Sequence, residues 1–139
     1  MALSACQSHA PQPVPIEPAD MCGHCRMAIS QKQFAAEAFD AAENVVKFDD
    51  AGCMLRWLVR QEKEAVAIYA VDYASRDWLE AKTAMYVRTK RVATPMGGGI
   101  LAFAGRAQAE AAAREFGGVV KTFSELLQDK MEWNSTQSR

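Results

Sequence analysis

A basic excess is missing from this sequence: 16 Lys and Arg stand against 17 Asp and Glu, for a net charge of −1 over 139 residues. Proteins that grip a phosphate backbone carry a basic footprint, so nucleic acid is excluded as the main partner. Long apolar runs are missing as well. Nothing approaches the roughly 18 residues that a membrane-spanning helix needs, so the body reads as soluble. Catalytic signatures are absent too. There is no nucleophile elbow, no recognised phosphate loop, and neither of the two histidines has a catalytic partner in the sequence. Gly97-Gly98-Gly99 lacks the Lys-Ser/Thr that would follow in a phosphate loop and is read as flexible backbone. The expectation is a protein that is not an enzyme. Cysteine is scarce and uneven, at Cys6, Cys22, Cys25 and Cys53, which excludes the disulfide framework of a small secreted domain.

What is present begins with organisation. Half of the residues are apolar, enough for one ordinary core or two small ones. Residues 1–19 hold four prolines without hydrophobic periodicity and are expected to form a flexible, Pro-rich tether. Within it, Leu3-Ser4-Ala5-Cys6 resembles a bacterial lipobox, which predicts lipidation at Cys6 and a periplasmic, membrane-anchored protein touching the membrane only through that anchor.

Regular patterning then gives an α+β chain of two small tandem ββαβ units, over 20–74 and 75–128. In the first, strands are predicted at Phe34–Phe39 and Val45–Phe48, joined by a turn at 41–44. Asp49-Asp50 would cap a helix from Ala51 to Gln61, because carboxylates satisfy the free amides of a helix N-terminus. Cys53 falls on the apolar face of that helix and is expected simply to pack in the core. A strand at Ala65–Val71 closes the unit, and Asp72–Leu79 is read as the connection, tight or loose, to the next. The second unit repeats the order, with strands at Ala84–Arg88 and Ile100–Phe103, a helix at Ala107–Phe116 stopped by Gly117-Gly118, and a strand at Val119–Phe123. A short helix from Ser124 to Leu127 follows, and 129–139 is expected to be a disordered tail.

The chemistry concentrates in Asp20-Met21-Cys22-Gly23-His24-Cys25-Arg26-Met27. Thiolates and thioethers are soft donors that select Cu(I), whereas zinc uses Cys and His but seldom Met. If the segment is extended, Cys25 and Met27 point to the same side. Met96, beside three glycines that let backbone bend toward a site, is the candidate ligand from elsewhere. Cys22, His24 and Asp20 are secondary candidates. Two rival classes share the motif. Cys22-Gly23-His24-Cys25 matches a thiol–disulfide redox motif, but the preceding Pro-Ile-Glu-Pro-Ala-Asp cannot supply the buried strand that such a site follows. A structural zinc site needs two more ligands than one Cys-x-x-Cys provides.

Three stretches resemble the NosL family, lipoprotein accessory factors of nitrous oxide reductase. They are the Asp20–Met27 segment, the junction Phe48-Asp49-Asp50-Ala51-Gly52-Cys53-Met54, and Met96-Gly97-Gly98-Gly99 through Phe103 with the helix and Gly117-Gly118 turn beyond. The resemblance runs from about Ala19 to Leu127. It implies an arrangement likened to organomercurial lyase, and Cu(I) held by Cys and Met, here Cys25, Met27 and Met96. It further implies copper-transport or maturation machinery and a copper enzyme client, nitrous oxide reductase, as partners. The chain departs from family members with a lone Cys-x-Met by its extra Cys22 and His24, and it has Pro-Met-Gly where the family has Gly-Met-Gly.

Overall fold

The computed structural model describes residues 9–137. The lipobox and Cys6 lie outside them. After a short 3-10 turn at Lys32–Phe34, the first sheet is built from β1 (Ala36–Phe39), β2 (Val45–Phe48), β3 (Ala67–Val71) and β4 (Trp78–Glu80), in the antiparallel order β2-β1-β3-β4. Helix α1 (Ala51–Leu58) lies between β2 and β3. The second sheet has β5 (Met85–Arg88), β6 (Ile100–Phe103) and β7 (Val119–Thr122) in the order β6-β5-β7, with α2 (Arg106–Phe116) between β6 and β7 and α3 (Phe123–Gln137) at the end. The chain is α+β with two antiparallel sheets, and the order strand, strand, helix, strand occurs twice.

β4 lies inside the stretch read from sequence as a connection. It pairs with β3 through Tyr69↔Glu80, Ala70↔Leu79 and Val71↔Trp78, so the first sheet runs past the expected boundary at residue 74. Asp72 makes the reversal: its Oδ1 accepts the Ala74 N–H at 2.8 Å, and its own N–H donates to Asp77 O at 2.8 Å. Such an Asx turn substitutes a side chain for a backbone partner and lets a very short hairpin close. The two units are packed together. Buried residues from both units, among them Phe48, Met54, Tyr86 and Ile100, form one apolar cluster, and Tyr73 N–H donates to Ala102 O at 2.9 Å across the junction.

Two further expectations are corrected. Residues 9–19 are docked, not free. Glu37, Lys47 and Tyr69 stand in register across β1, β2 and β3, and each holds this arm. Val14 N–H donates to Glu37 Oε2 at 2.9 Å, Lys47 Nζ to Pro15 O at 2.9 Å, and Tyr69 Oη to Pro11 O at 2.6 Å, while Ile16 is buried. Proline cannot donate to a ladder, but its carbonyl still accepts, so a Pro-rich segment can be strapped down by side chains. This cover explains why every residue of β1, Glu37 included, is buried.

Of the expected disordered tail at 129–139, the described part is helical, since α3 continues to Gln137. Thr122 caps this helix: its Oγ1 accepts the Glu125 N–H at 3.1 Å and donates to Glu125 Oε1 at 3.1 Å. Phe123 and Leu126 are buried in the main cluster and anchor the helix against α1. Helix α1, conversely, stops at Leu58 rather than Gln61, where its apolar face runs out into Gln61-Glu62-Lys63-Glu64.

Candidate metal centre

The segment carrying the soft donors is folded back on itself. Cys22 N–H donates to Met27 O at 2.8 Å, Arg26 N–H to Cys22 O at 3.0 Å, and Met21 bridges Ala28. Arg26 takes the left-handed conformation at φ 66° to complete the turn. The alternation of an extended strand therefore does not apply, and the expectation that Cys25 and Met27 share one side of such a strand is corrected. Gly23 presses this loop onto β2: its N–H donates to Lys47 O at 2.8 Å, and a Cβ there would fall 2.3 Å from Val46 Cγ1.

The loop meets the first turn of α1. Asp50 caps that helix, its Oδ1 accepting the Cys53 N–H at 2.8 Å. This cap directs Cys53 toward the loop, and the sulfurs of Cys22, Cys25 and Cys53 lie within 4.8 Å of one another. Cys22 and Cys53 are fully buried and Cys25 is half-buried, so access is through Cys25. All three are free thiols.

Their protonation is divided unequally. The Cys22 thiol is pulled from its ordinary 9.0 down to about 4, chiefly by a hydrogen bond from the Cys53 thiol, which outweighs burial; backbone N–H groups of Cys25, Asp49 and His24 add to it. Cys53 is pushed up because it donates that bond, and further by burial and by Asp50. Burial raises Cys25, and the neighbouring Cys22 reinforces the shift. These contacts favour the charge on Cys22 and the protons on Cys25 and Cys53. A soft cation entering the cluster would displace the remaining protons, since metals bind thiolates.

Around the sulfurs, Asp49 is buried with Oδ1 lacking a hydrogen-bond partner, and burial followed by the charges of Cys22 and Asp50 raises its carboxyl. Met96 is half-buried against the apolar cluster that contains Cys22 and Cys53, and its N–H donates to Asp50 Oδ2 at 2.9 Å. One carboxylate thus fixes both the α1 terminus and the Met96 loop. Met27 is 58 % exposed. His24 is half-buried, its basicity lowered first by burial and then by Arg60 and Arg56. Asp20 is engaged elsewhere, in an ion pair with Lys47 Nζ at 2.5 Å. His24 and Asp20 stand outside the three-sulfur group.

The sequence profile of the NosL family matches residues 13–131. The chain belongs to the NosL family. The resemblance seen in the three sequence stretches is thereby borne out. Among solved structures, the crystal structure of the copper chaperone NosL from Shewanella denitrificans matches with a TM-score of 0.72 at 22 % identity, over 82 % of this chain and 94 % of that one. At that identity the likeness establishes a shared NosL fold. No curated protein matches the chain.

Within this NosL-family chain, sequence reasoning missed Cys53 as a member of the site. Its burial was expected, but the neighbours were not. A signal was available in Asp50-Ala51-Gly52-Cys53: a capping Asp three residues before a Cys puts that thiol in the first helical turn, where free backbone amides favour a thiolate nearby.

Proposed function

We propose that this protein is a carrier of Cu(I), with the metal as cargo and no catalytic role, and that Cys22, Cys25 and Cys53 hold it. The observation that carries the reading is the convergence of three sulfurs within 4.8 Å, with Cys22 hydrogen-bonded so as to favour its thiolate. Three sulfur donors with no oxygen or nitrogen among them suit a soft monovalent ion better than zinc or a hard cation. The copper chaperone of known structure that shares the fold supports the same cargo.

Cys22 would give retention because it needs no deprotonation. Cys25, the accessible member, would be the first sulfur reached and the last one left. Met27 and Met96 would act as weaker thioether donors during exchange, Met27 from the surface and Met96 from its half-buried loop. A partner can then displace the ligands one at a time. Family membership supports nitrous oxide reductase, or the machinery that matures it, as the client. A lipid on Cys6 would keep the carrier at the periplasmic face of a membrane.

The test is a titration of reduced apo protein with Cu(I) against a competing chromophoric chelator, beside a parallel zinc titration. One Cu(I) per chain, held more tightly than zinc, is expected. Tight zinc with indifferent Cu(I) would overturn the cargo.

A further inference from the structure

A basic cleft of about 890 Å³ opens on the second unit, between the end of β5, the Met96 loop and the Gly117-Gly118 turn. Arg88, Lys90, Arg91 and Lys121 line it, and no carboxylate does. Asp129 of α3 approaches Arg88 at 3.7 Å and Lys121 at 2.7 Å. Lys90 and Arg91 are exposed and have no ion-pair partner among the described residues. Bare backbone shapes the floor: a Cβ at Gly97 or Gly98 would meet nothing within 4 Å, and one at Gly117 would only touch the Arg91 side chain at 3.7 Å.

Four basic side chains thus share one concavity in a chain whose net charge is −1. Asp129 offsets two of them, and Lys90 and Arg91 stay open to a partner's charge.

We infer that this basic cleft docks an acidic protein segment, a run of Asp or Glu carboxylates on the partner that gives or takes the metal. The metal part of this statement rests on the proposed function; the docking surface does not. A concave site receives a protruding segment, whereas a flat bilayer would meet only its rim. Complementary charge of this kind speeds encounter and sets orientation more than it adds affinity. The Met96 loop lines the cleft through Gly97 to Gly99 while its Met96 N–H is bonded to Asp50. An occupant of the cleft would therefore press on the loop that reaches the sulfur site.

The probe is a fluorescent octaglutamate peptide, titrated into the full chain at low and at moderate salt, with Lys90→Glu/Arg91→Glu as the variant. Salt-sensitive binding that weakens at least about tenfold in the variant is expected, while its Cu(I) affinity and melting temperature stay as in the parent. Equal binding by parent and variant would overturn the proposal. So would full displacement of the peptide by inorganic phosphate at low concentration, which would mean a small-anion site. Binding to phosphatidylglycerol vesicles without binding to the peptide would also overturn it, in favour of a membrane contact. A chain that binds the peptide but not Cu(I) would retain the surface and lose the cargo, so the two readings fail separately.

Discussion

In the first unit the sheet is covered on both faces, by α1 and by the arm of residues 9–19, and even Glu37 of β1 is sealed from water. The second unit is more open: β7 exposes Val119 and has no fully buried residue, and its loop between β5 and β6 carries three consecutive glycines after Met96. The sulfurs come from the covered unit and Met96 from the open one. A thiolate is stabilised by fixed N–H donors and suffers if they move, so it belongs where packing is complete. A thioether that must let go of its metal gains from a backbone with room around it. With copper as the proposed cargo, the same element order would serve two demands, retention and release.

The sharpest way to break that division is Cys22→Ser. It should lower Cu(I) affinity by more than the roughly 100-fold that losing an outer-shell partner can cost, as read in the chelator competition. The same variant should change the pH response of the apo protein. Between about pH 4 and 9 the unfolded chain holds a proton on Cys22 that the folded chain has lost. The Cys22 contribution to stability therefore rises with pH across that window and is lost as pH falls toward 4, while the raised Asp49 carboxyl opposes it at the acid end. Above 9 the raised Cys25 and Cys53 keep protons that the unfolded chain sheds, and stability turns down. Urea melts across pH should show the rise in the parent and a flatter profile in Cys22→Ser. Thiolate absorbance in the ultraviolet should disappear at neutral pH in the variant; its persistence would mean that another sulfur carries the charge.

Glycine substitutions test the open unit. Gly99 has φ 66°, and a Cβ there would lie 1.9 Å from Thr89 O, so Gly99→Ala must move backbone. A loss of about 3 kcal/mol is expected in urea melts, combining left-handed strain with the clash. Gly97, at φ 73° but with nothing within 4 Å, should cost only about 1 kcal/mol as Gly97→Ala. Near-equal losses would show that the loop rearranges freely and that its observed path is not fixed by Gly99.

Asp50 joins the units, and Asp50→Ala should cost about 2 kcal/mol. It removes the acceptor for the Cys53 N–H and for the Met96 N–H, while relief of repulsion with Asp49 offsets part of the loss. If Cu(I) affinity falls alongside stability by about tenfold, Asp50 acts on the donors it positions; stability loss alone would confine it to capping.

The strands at Val45–Phe48 and Ile100–Phe103 and the Asp-capped start of α1 were legible because each depends on residues adjacent in sequence. What escaped depends on distance in sequence. β4 is three residues long and exists because β3 offers an edge and Asp72 turns the chain toward it. The arm contains no periodic signal and is held by side chains of Glu37, Lys47 and Tyr69. The meeting of Cys53 with Cys22 and Cys25 follows from the path of a loop whose turn at Arg26 defeats the assumption of extended alternation. A sequence motif names chemistry well; here it named the loop and missed the third sulfur that the fold delivers to it.

The smallest effect should belong to Met27→Leu. The side chain is 58 % exposed, and the structural part of Met27 is its carbonyl, which accepts the Cys22 N–H and is retained in any substitution. Stability should therefore change by less than about 0.5 kcal/mol. Equilibrium Cu(I) affinity should fall only modestly if the buried sulfurs hold the ion, yet the rate of metal loss to a competing chelator should change clearly, because an exposed thioether works during exchange. A large drop in affinity at unchanged stability would break the comparison at its centre. Retention would then reside on the surface of the hairpin with Met27, and the buried Cys22–Cys53 pair would serve chiefly to hold the loop in place.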